Sequence, residues 1–362
     1  MDYEMLLILV TKESNRLMTE KILEVDNLTT SFDTEEGTVR AVNNISFSIE
    51  EGETMGIVGE SGSGKSVTAL SVMRLIESNG SIENGTIHYR GSNLLEKTES
   101  EIQSIRGSEI SMVFQDTLDS LNPVYTIGTQ INRVIRKHRD MDNKEAREET
   151  IRLLEQVGIP NAEERIDDYP HQFSGGMRQR ALIAMAISCN PSVLIADEPT
   201  TALDVTIEAQ IFEVLDKIQH ETGMSIIVIT HDLGVVAGVC DFVNVMYGGE
   251  IVEKSKTDDI FGDPQHPYTR GLLRSIPRIG KEEDRLRGIE GNVPNPAALP
   301  SGCTFHPRCP HATDECRQHD PSLQEVKRNH RAACIHIDGY KSLHKEDKEI
   351  IINDRKKGES DD

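Results

Sequence analysis

The run Gly59-Glu60-Ser61-Gly62-Ser63-Gly64-Lys65-Ser66 fills every fixed position of the pattern G-x-x-x-x-G-K-[ST]. It follows the apolar stretch Met55-Gly56-Ile57-Val58 and precedes a helical apolar pattern at Val67, Leu70 and Met73. A chain built this way passes from a buried strand through a tight glycine turn directly into a helix. In that turn successive main-chain N–H groups and the helix N-terminus point at phosphate oxygens. Lys65 then reaches the β- and γ-phosphates of a nucleotide, and the Ser66 hydroxyl is placed to ligate Mg²⁺. A chance Gly/Ser turn is the competing reading; complete filling of the motif between strand and helix weighs against it.

The remaining sequence has the rhythm such a turn requires. Ile110-Ser111-Met112-Val113-Phe114, Val193-Leu194-Ile195-Ala196 and Ile226-Ile227-Val228-Ile229 have the length and β-branching of strands buried on both faces, with helical patterns between them. Residues 22 to 50 instead alternate, as at Ile45, Phe47 and Ile49, around a turn signal at Glu36-Gly37, which predicts antiparallel strands with one wet face. From about 93 to 175 the chain turns charged and helix-favouring, as in Asn143-Lys144-Glu145-Ala146-Arg147-Glu148-Glu149-Thr150, and reads as a helical insertion.

Two further features sit on this frame. The strand ending at Ala196 runs into Asp197-Glu198, and the carboxyl ends of parallel strands are where α/β sheets bind ligands. Asp197 is placed to hold Mg²⁺, and Glu198 to orient or deprotonate an attacking water. Alone, two acids after a strand are most often a solvated loop; here they share a chain with a phosphate loop. Ser174-Gly175-Gly176 opens an Ala-rich helix, so Ser174 caps it and its first N–H groups form a second anion site. Two phosphate-binding elements in one domain point to a nucleotide held by a partner copy.

Composition narrows the partners. The 362 residues allow about two domains at roughly 150 residues each. A net charge of −22 excludes a general nucleic-acid binder, because such affinity comes from Lys and Arg displacing counterions, and it disfavours anionic membrane surfaces for the same reason. The apolar run Leu6-Leu7-Ile8-Leu9-Val10 follows Asp2 and Glu4 and is far shorter than the ~20 residues of a membrane helix, so a cytoplasmic chain is expected. Residues 1–18 read as an N-terminal extension, 19–260 as the nucleotide-binding domain, and 261–340 as a separate, Pro-broken C-terminal module. Residues 341–362 read as a charged, disordered tail.

Of six cysteines, Cys189 and Cys240 read as buried small hydrophobes. The other four crowd the module as Cys303-x5-Cys309-x6-Cys316-x17-Cys334. A cytosolic chain does not readily keep these as disulfides, so a metal site is indicated: tetrahedral Zn²⁺ or an iron–sulfur cluster, with unmetallated thiols as the third option.

Ordered along the chain, these motifs resemble the ATPase subunits of ABC transporters over about residues 20 to 255. The carriers are the phosphate loop, Gln115 after the strand ending at Phe114 (the Q-loop), and Ser174-Gly175-Gly176 with Gln179 (the signature). Ala202-Leu203-Asp204 (the D-loop) and His231 in Thr230-His231-Asp232 (the switch histidine) complete them. The resemblance implies an α/β fold of the P-loop NTPase, ABC type: a RecA-like parallel core, an antiparallel β subdomain, a helical subdomain, and here a small loop-rich C-terminal module. It implies ATP bound by Phe32, Gly59, Ser61, Gly62, Ser63, Gly64, Lys65, Ser66, Val67, Gln115 and Asp197, with Phe32 stacking on adenine where Tyr is commoner. It further implies Mg²⁺ on Ser66, Gln115 and Asp197, catalysis by Glu198, His231 and Gln115, and a head-to-tail dimer in which the signature meets the other subunit's ATP.

The finer resemblance is to the oligopeptide/dipeptide and nickel importer branch. It rests on Ser120-Leu121-Asn122-Pro123, on Tyr169-Pro170-His171-Gln172 before the signature, on His266-Pro267-Tyr268-Thr269, and above all on Leu299-Pro300-Ser301-Gly302-Cys303-Thr304-Phe305-His306-Pro307-Arg308-Cys309-Pro310. It implies peptide import, with nickel or another small solute as the alternative, and a [4Fe–4S] cluster on Cys303, Cys309, Cys316 and Cys334. It implies two membrane permease subunits, a second ATPase subunit that is a paralogue rather than a copy, an extracellular binding protein acting indirectly, and a place on the cytoplasmic face of the membrane. A soluble ABC ATPase acting on macromolecules is the competing class; the second cassette or long coiled coil typical of such proteins is absent from the sequence.

Overall fold

The computed structural model describes residues 21–35, 37–115, 120–200, 204–275 and 288–337. The expected extension 1–18, the tail 341–362 and Ala202-Leu203 of the D-loop lie outside them.

Two sheets organise the chain. The first has the order β2-β1-β4-β5, built from β1 (Lys21–Thr34), β2 (Gly37–Glu50), β4 (Gly80–Tyr89) and β5 (Ser92–Asn93), all antiparallel. The alternation read from residues 22 to 50 is realised here: Ile45, Phe47 and Ile49 are buried, and β1 and β2 close as a hairpin at Thr34 opposite Gly37.

The second sheet has the order β11 (Gln324–Lys327), β12 (His330–Ala332), β10 (Glu250–Lys256), then β9-β3-β8-β7-β6. Its centre is parallel: β9 (Phe242–Tyr247), β3 (Thr54–Val58), β8 (Ser225–Thr230), β7 (Val193–Asp197) and β6 (Ile110–Val113). Every residue of β3, β7 and β8 is buried, as continuous apolar runs in a sheet covered on both faces require. Period-two alternation divides their side chains. Val193, Ile195, Ile227 and Ile229 join a core with the antiparallel strands and helix Lys65–Val72. Leu194, Ile226 and Val228 join a second core with the helices.

Helices Ile127–His138, Asn143–Gln156 and Gly175–Ile187 pack through Ile131, Ile135, Leu153, Leu154 and Ala181 into that second core. Asp142 starts the middle helix by accepting N–H bonds from Lys144 and Glu145, while the Glu145 carboxylate takes the Asp142 N–H. This helical grouping begins later than residue 93. Leu94 and Ile102 instead belong to the core of the antiparallel strands, because β6 must return to the central sheet before the helices depart.

The C-terminal segment attaches to the nucleotide-binding core through strand pairing. Strand β12 (His330–Ala332) pairs with β10 (Glu250–Lys256) and with β11 (Gln324–Lys327), extending the central sheet at its edge. A buried bond from His330 Nε2 to Glu253 Oε1, 2.7 Å, locks the junction, and Glu253 also accepts the N–H groups of Gln265 and His266.

Candidate active site

The strand order decides where chemistry is placed. The phosphate loop follows β3, His231 follows β8, Asp197-Glu198 closes β7, and Gln115 follows β6, so all four stand at the carboxyl ends of consecutive parallel strands.

The loop is shaped by close approach. Gly64 has φ +98°, and a Cβ there would fall 2.3 Å from the Ala41 carbonyl oxygen; at Gly59 it would fall 2.3 Å from that of Met246. Lys65 is buried and its ammonium donates to the carbonyls of Gly59 (2.8 Å) and Glu60 (3.0 Å), with burial lowering its pKa and Glu198, Asp197 and Glu60 opposing that shift. The Ser63 hydroxyl is buried without a hydrogen-bond partner, while Ser61 and Gly62 are open to solvent. Val67 packs on the core with the first turn of its helix. Ser66 Oγ donates to Asp197 Oδ1 at 3.1 Å, so two expected Mg²⁺ ligands are already adjacent. Burial raises the Asp197 carboxyl to about 6, and the nearby Glu198 charge adds to this. A bound divalent cation would favour its charged form.

Glu198 is the hub of the acidic end. Its φ is +44°, and its N–H is tied to the Ile229 carbonyl of β8. Gln115 Nε2 donates to Glu198 Oε2 at 2.8 Å, and His231 Nδ1 lies 3.2 Å from Oε1. The three expected catalytic residues therefore meet. The Gln115 amide is engaged with Glu198 here rather than with Ser66 or Asp197. A carboxylate only 12 % exposed, oriented from both sides, is suited to align and deprotonate a water.

Phe32 pairs with Val39 and Gly80, and the bare Gly80 makes room for its ring, which a Cβ would approach at 2.6 Å. Ser174 caps helix Gly175–Ile187 by accepting the Met177 N–H, and Ser174 and Gly175 are exposed, leaving that N-terminus open to an anion. Gly176 packs against Ile207, whose helix Val205–Thr222 is capped by Asp204, so the signature and the described end of the D-loop adjoin. Gln179, also expected at the signature, is fully buried with neither amide atom paired.

The comparisons agree with this geometry. The ABC transporter family model matches residues 42–201, and the oligopeptide/dipeptide transporter C-terminal region matches residues 252–316. The oligopeptide transport ATP-binding protein AppD of Bacillus subtilis is 51 % identical, covering 87 % of this chain and 96 % of its own length. OppD of Salmonella typhimurium is 49 % identical over 87 % and 93 %. The chain belongs to the ABC transporter ATP-binding proteins. A solved ABC cassette, MJ0796 in a dimeric post-hydrolysis state bound to ADP and Pi, superposes with a TM-score of 0.59 at 27 % identity, covering 65 % of this chain and 98 % of that one.

The segment that distinguishes this ABC protein from a minimal cassette is the C-terminal one. Its four cysteines line one cavity together with His306 and His336. Burial pushes the Cys303 thiol up to about 12 and that of Cys309 to about 11, and raises Cys334 as well. His336 Nε2 lies 3.4 Å from Cys316 Sγ and 2.9 Å from Thr313 Oγ1. Among the described residues no group of three or more His, Cys, Asp or Glu is arranged to hold a metal ion, so the expected [4Fe–4S] or zinc site is not supported by the geometry. Cys240 is buried as expected, whereas Cys189 is half-buried. Tyr268 and Arg308 also contact the phosphate loop at Glu60, which nothing in the sequence motifs around them signals. Among the described residues no helix is long and apolar enough to cross a membrane.

Proposed function

We propose that this chain is the ATP-hydrolysing subunit that energises import of di- and oligopeptides through a membrane ABC complex. The observation that carries the reading is the Gln115–Glu198–His231 cluster beside a complete phosphate loop, in a chain about half identical to oligopeptide transport ATP-binding proteins along nearly their whole length. Lys65 and the loop N–H groups hold the ATP phosphates and Phe32 faces adenine, and Ser66, Asp197 and Gln115 would hold Mg²⁺. Glu198 activates water, and His231 contacts the γ-phosphate. The metal would supply charge neutralisation at the phosphates.

Two permease subunits carry the chain on the cytoplasmic face of the membrane, and a paralogous ATPase completes the dimer around Ser174, Gly175, Gly176 and Asp204. An extracellular binding protein delivers the peptide. Co-expression with adjacent permease genes, reconstitution in liposomes and ATPase assay with peptide-loaded binding protein test this. Stimulation by peptide is expected; stimulation by nickel alone, or no association with a permease, overturns it. The [4Fe–4S] cluster is the finer part of the reading; four thiols line one cavity, but the described residues do not arrange them as a ligand set. Iron and sulfide analysis after anaerobic purification decides it, with zinc or no metal as the overturning result.

A further inference from the structure

Glu60 lies in the phosphate loop, yet its partners come from the far end of the chain. Its carboxylate receives both prongs of the Arg308 guanidinium, Nη1 to Oε2 at 2.6 Å and Nη2 to Oε1 at 3.1 Å. Its main-chain N–H donates to Tyr268 Oη at 2.9 Å, and its carbonyl accepts from Lys65 at 3.0 Å. One residue thus joins the loop's lysine to two residues beyond position 260.

Arg308 is held in place before it meets Glu60. Its side chain is 4 % exposed. Its Nε donates to the Glu290 carbonyl at 3.1 Å, and Nη2 also reaches that of Ile289 at 3.3 Å. The guanidinium lies 5.7 Å from the Tyr247 ring centre, and Tyr247 packs on Tyr268 and Phe305. A planar fork fixed on an aromatic floor admits one carboxylate position, which a lysine in its place would not define. Charge adds a second effect. A lone carboxylate in a loop that must receive phosphates repels them, and Arg308 cancels that charge.

We propose that Arg308 and Tyr268 are positioning residues for nucleotide binding, holding and neutralising Glu60 so that the C-terminal segment sets the affinity of the phosphate loop for ATP. This rests on the ATPase reading above. The test is a fluorescence titration of the full-length chain with TNP-ATP, alongside thermal melting. Wild-type chain that fails to bind overturns the ATPase reading and not the clamp alone. With wild type binding, Arg308→Ala raises Kd about tenfold, because the half-buried Glu60 carboxylate is left without its counter-charge beside the incoming phosphates. Adding Glu60→Gln to that variant restores Kd to within about threefold, because a neutral amide needs no counter-charge. Tyr268→Phe, which keeps the ring packing, raises Kd about twofold and lowers the melting temperature by only about 2 to 4 °C, as loss of one hydrogen bond predicts. A purely structural role for Arg308 would lower the melting temperature with no rescue of affinity by Glu60→Gln. Unchanged affinity in Arg308→Ala, or a double variant as weak as the single, overturns the proposal. Should Arg308→Ala not fold, Arg308→Lys and Tyr268→Phe decide, and wild-type affinity in both overturns it.

Discussion

At the scale of single residues, the acidic hub makes the sharpest demand. Glu198 receives Gln115 on one oxygen and faces His231 on the other, so replacing its charge while keeping its shape separates binding from chemistry. Glu198→Gln is expected to leave ATP affinity within about twofold and to cut turnover by at least about 100-fold, the scale of a lost general base. Isothermal binding and phosphate-release assays check both; hydrolysis at near wild-type rate removes Glu198 from the role. These residues were legible in sequence because each ends a buried apolar run, and the sheet brings strand ends together. Gln179 is less legible, because a motif match carries no helix phase and does not show that packing buries this side chain. Arg308 was invisible as a partner of Glu60 because 248 residues separate them and only the fold closes that distance.

At the scale of elements, the long parallel strands declared themselves, whereas β11 and β12 did not. They contain four and three residues, and Gln324-Glu325-Val326-Lys327 has almost no apolar content. They exist as strands because β10 offers an edge and because His330 meets the buried Glu253 carboxylate. That contact fixes a prediction. Both side chains are fully buried, so His330→Ala leaves a carboxylate without one of its partners and is expected to cost about 3 kcal/mol. Urea denaturation measures it, and a loss below about 0.5 kcal/mol, the scale of a surface change, would show that the junction is held by strand pairing alone. The cavity cysteines belong to the same lesson: spacing placed four thiols together, but burial and side-chain orientation determine what they do.

For the whole molecule, the net charge of −22 remains to be accounted for. Many acids of the helical region are paired: Glu149 with Arg139 and Arg152, Asp167 with Arg147, Asp168 with Arg165, and Glu148 with Lys144. Salt therefore acts in two opposing directions, weakening these pairs and relieving the repulsion among the excess acids. The pairs are mostly exposed, each worth about 0 to 1 kcal/mol. One of them holds the Glu149 carboxyl down to about 2 through the Arg152 fork, and because Arg152 is exposed salt screens this pair as well. Repulsion among the unmatched acids acts over the whole surface, and the screening length falls from about 10 Å at 0.1 M to about 3 Å at 1 M. Relief of repulsion wins, so the melting temperature should rise by several degrees between 0.1 and 1 M KCl, and ATPase activity should not fall over the same range. On the proposed reading, in which main-chain N–H groups and the buried Lys65 hold the phosphates, ATP binding survives that salt, whereas contacts made by exposed lysines would weaken. A melting temperature that falls steadily with KCl would mean that the ion pairs, and not the excess charge, govern stability.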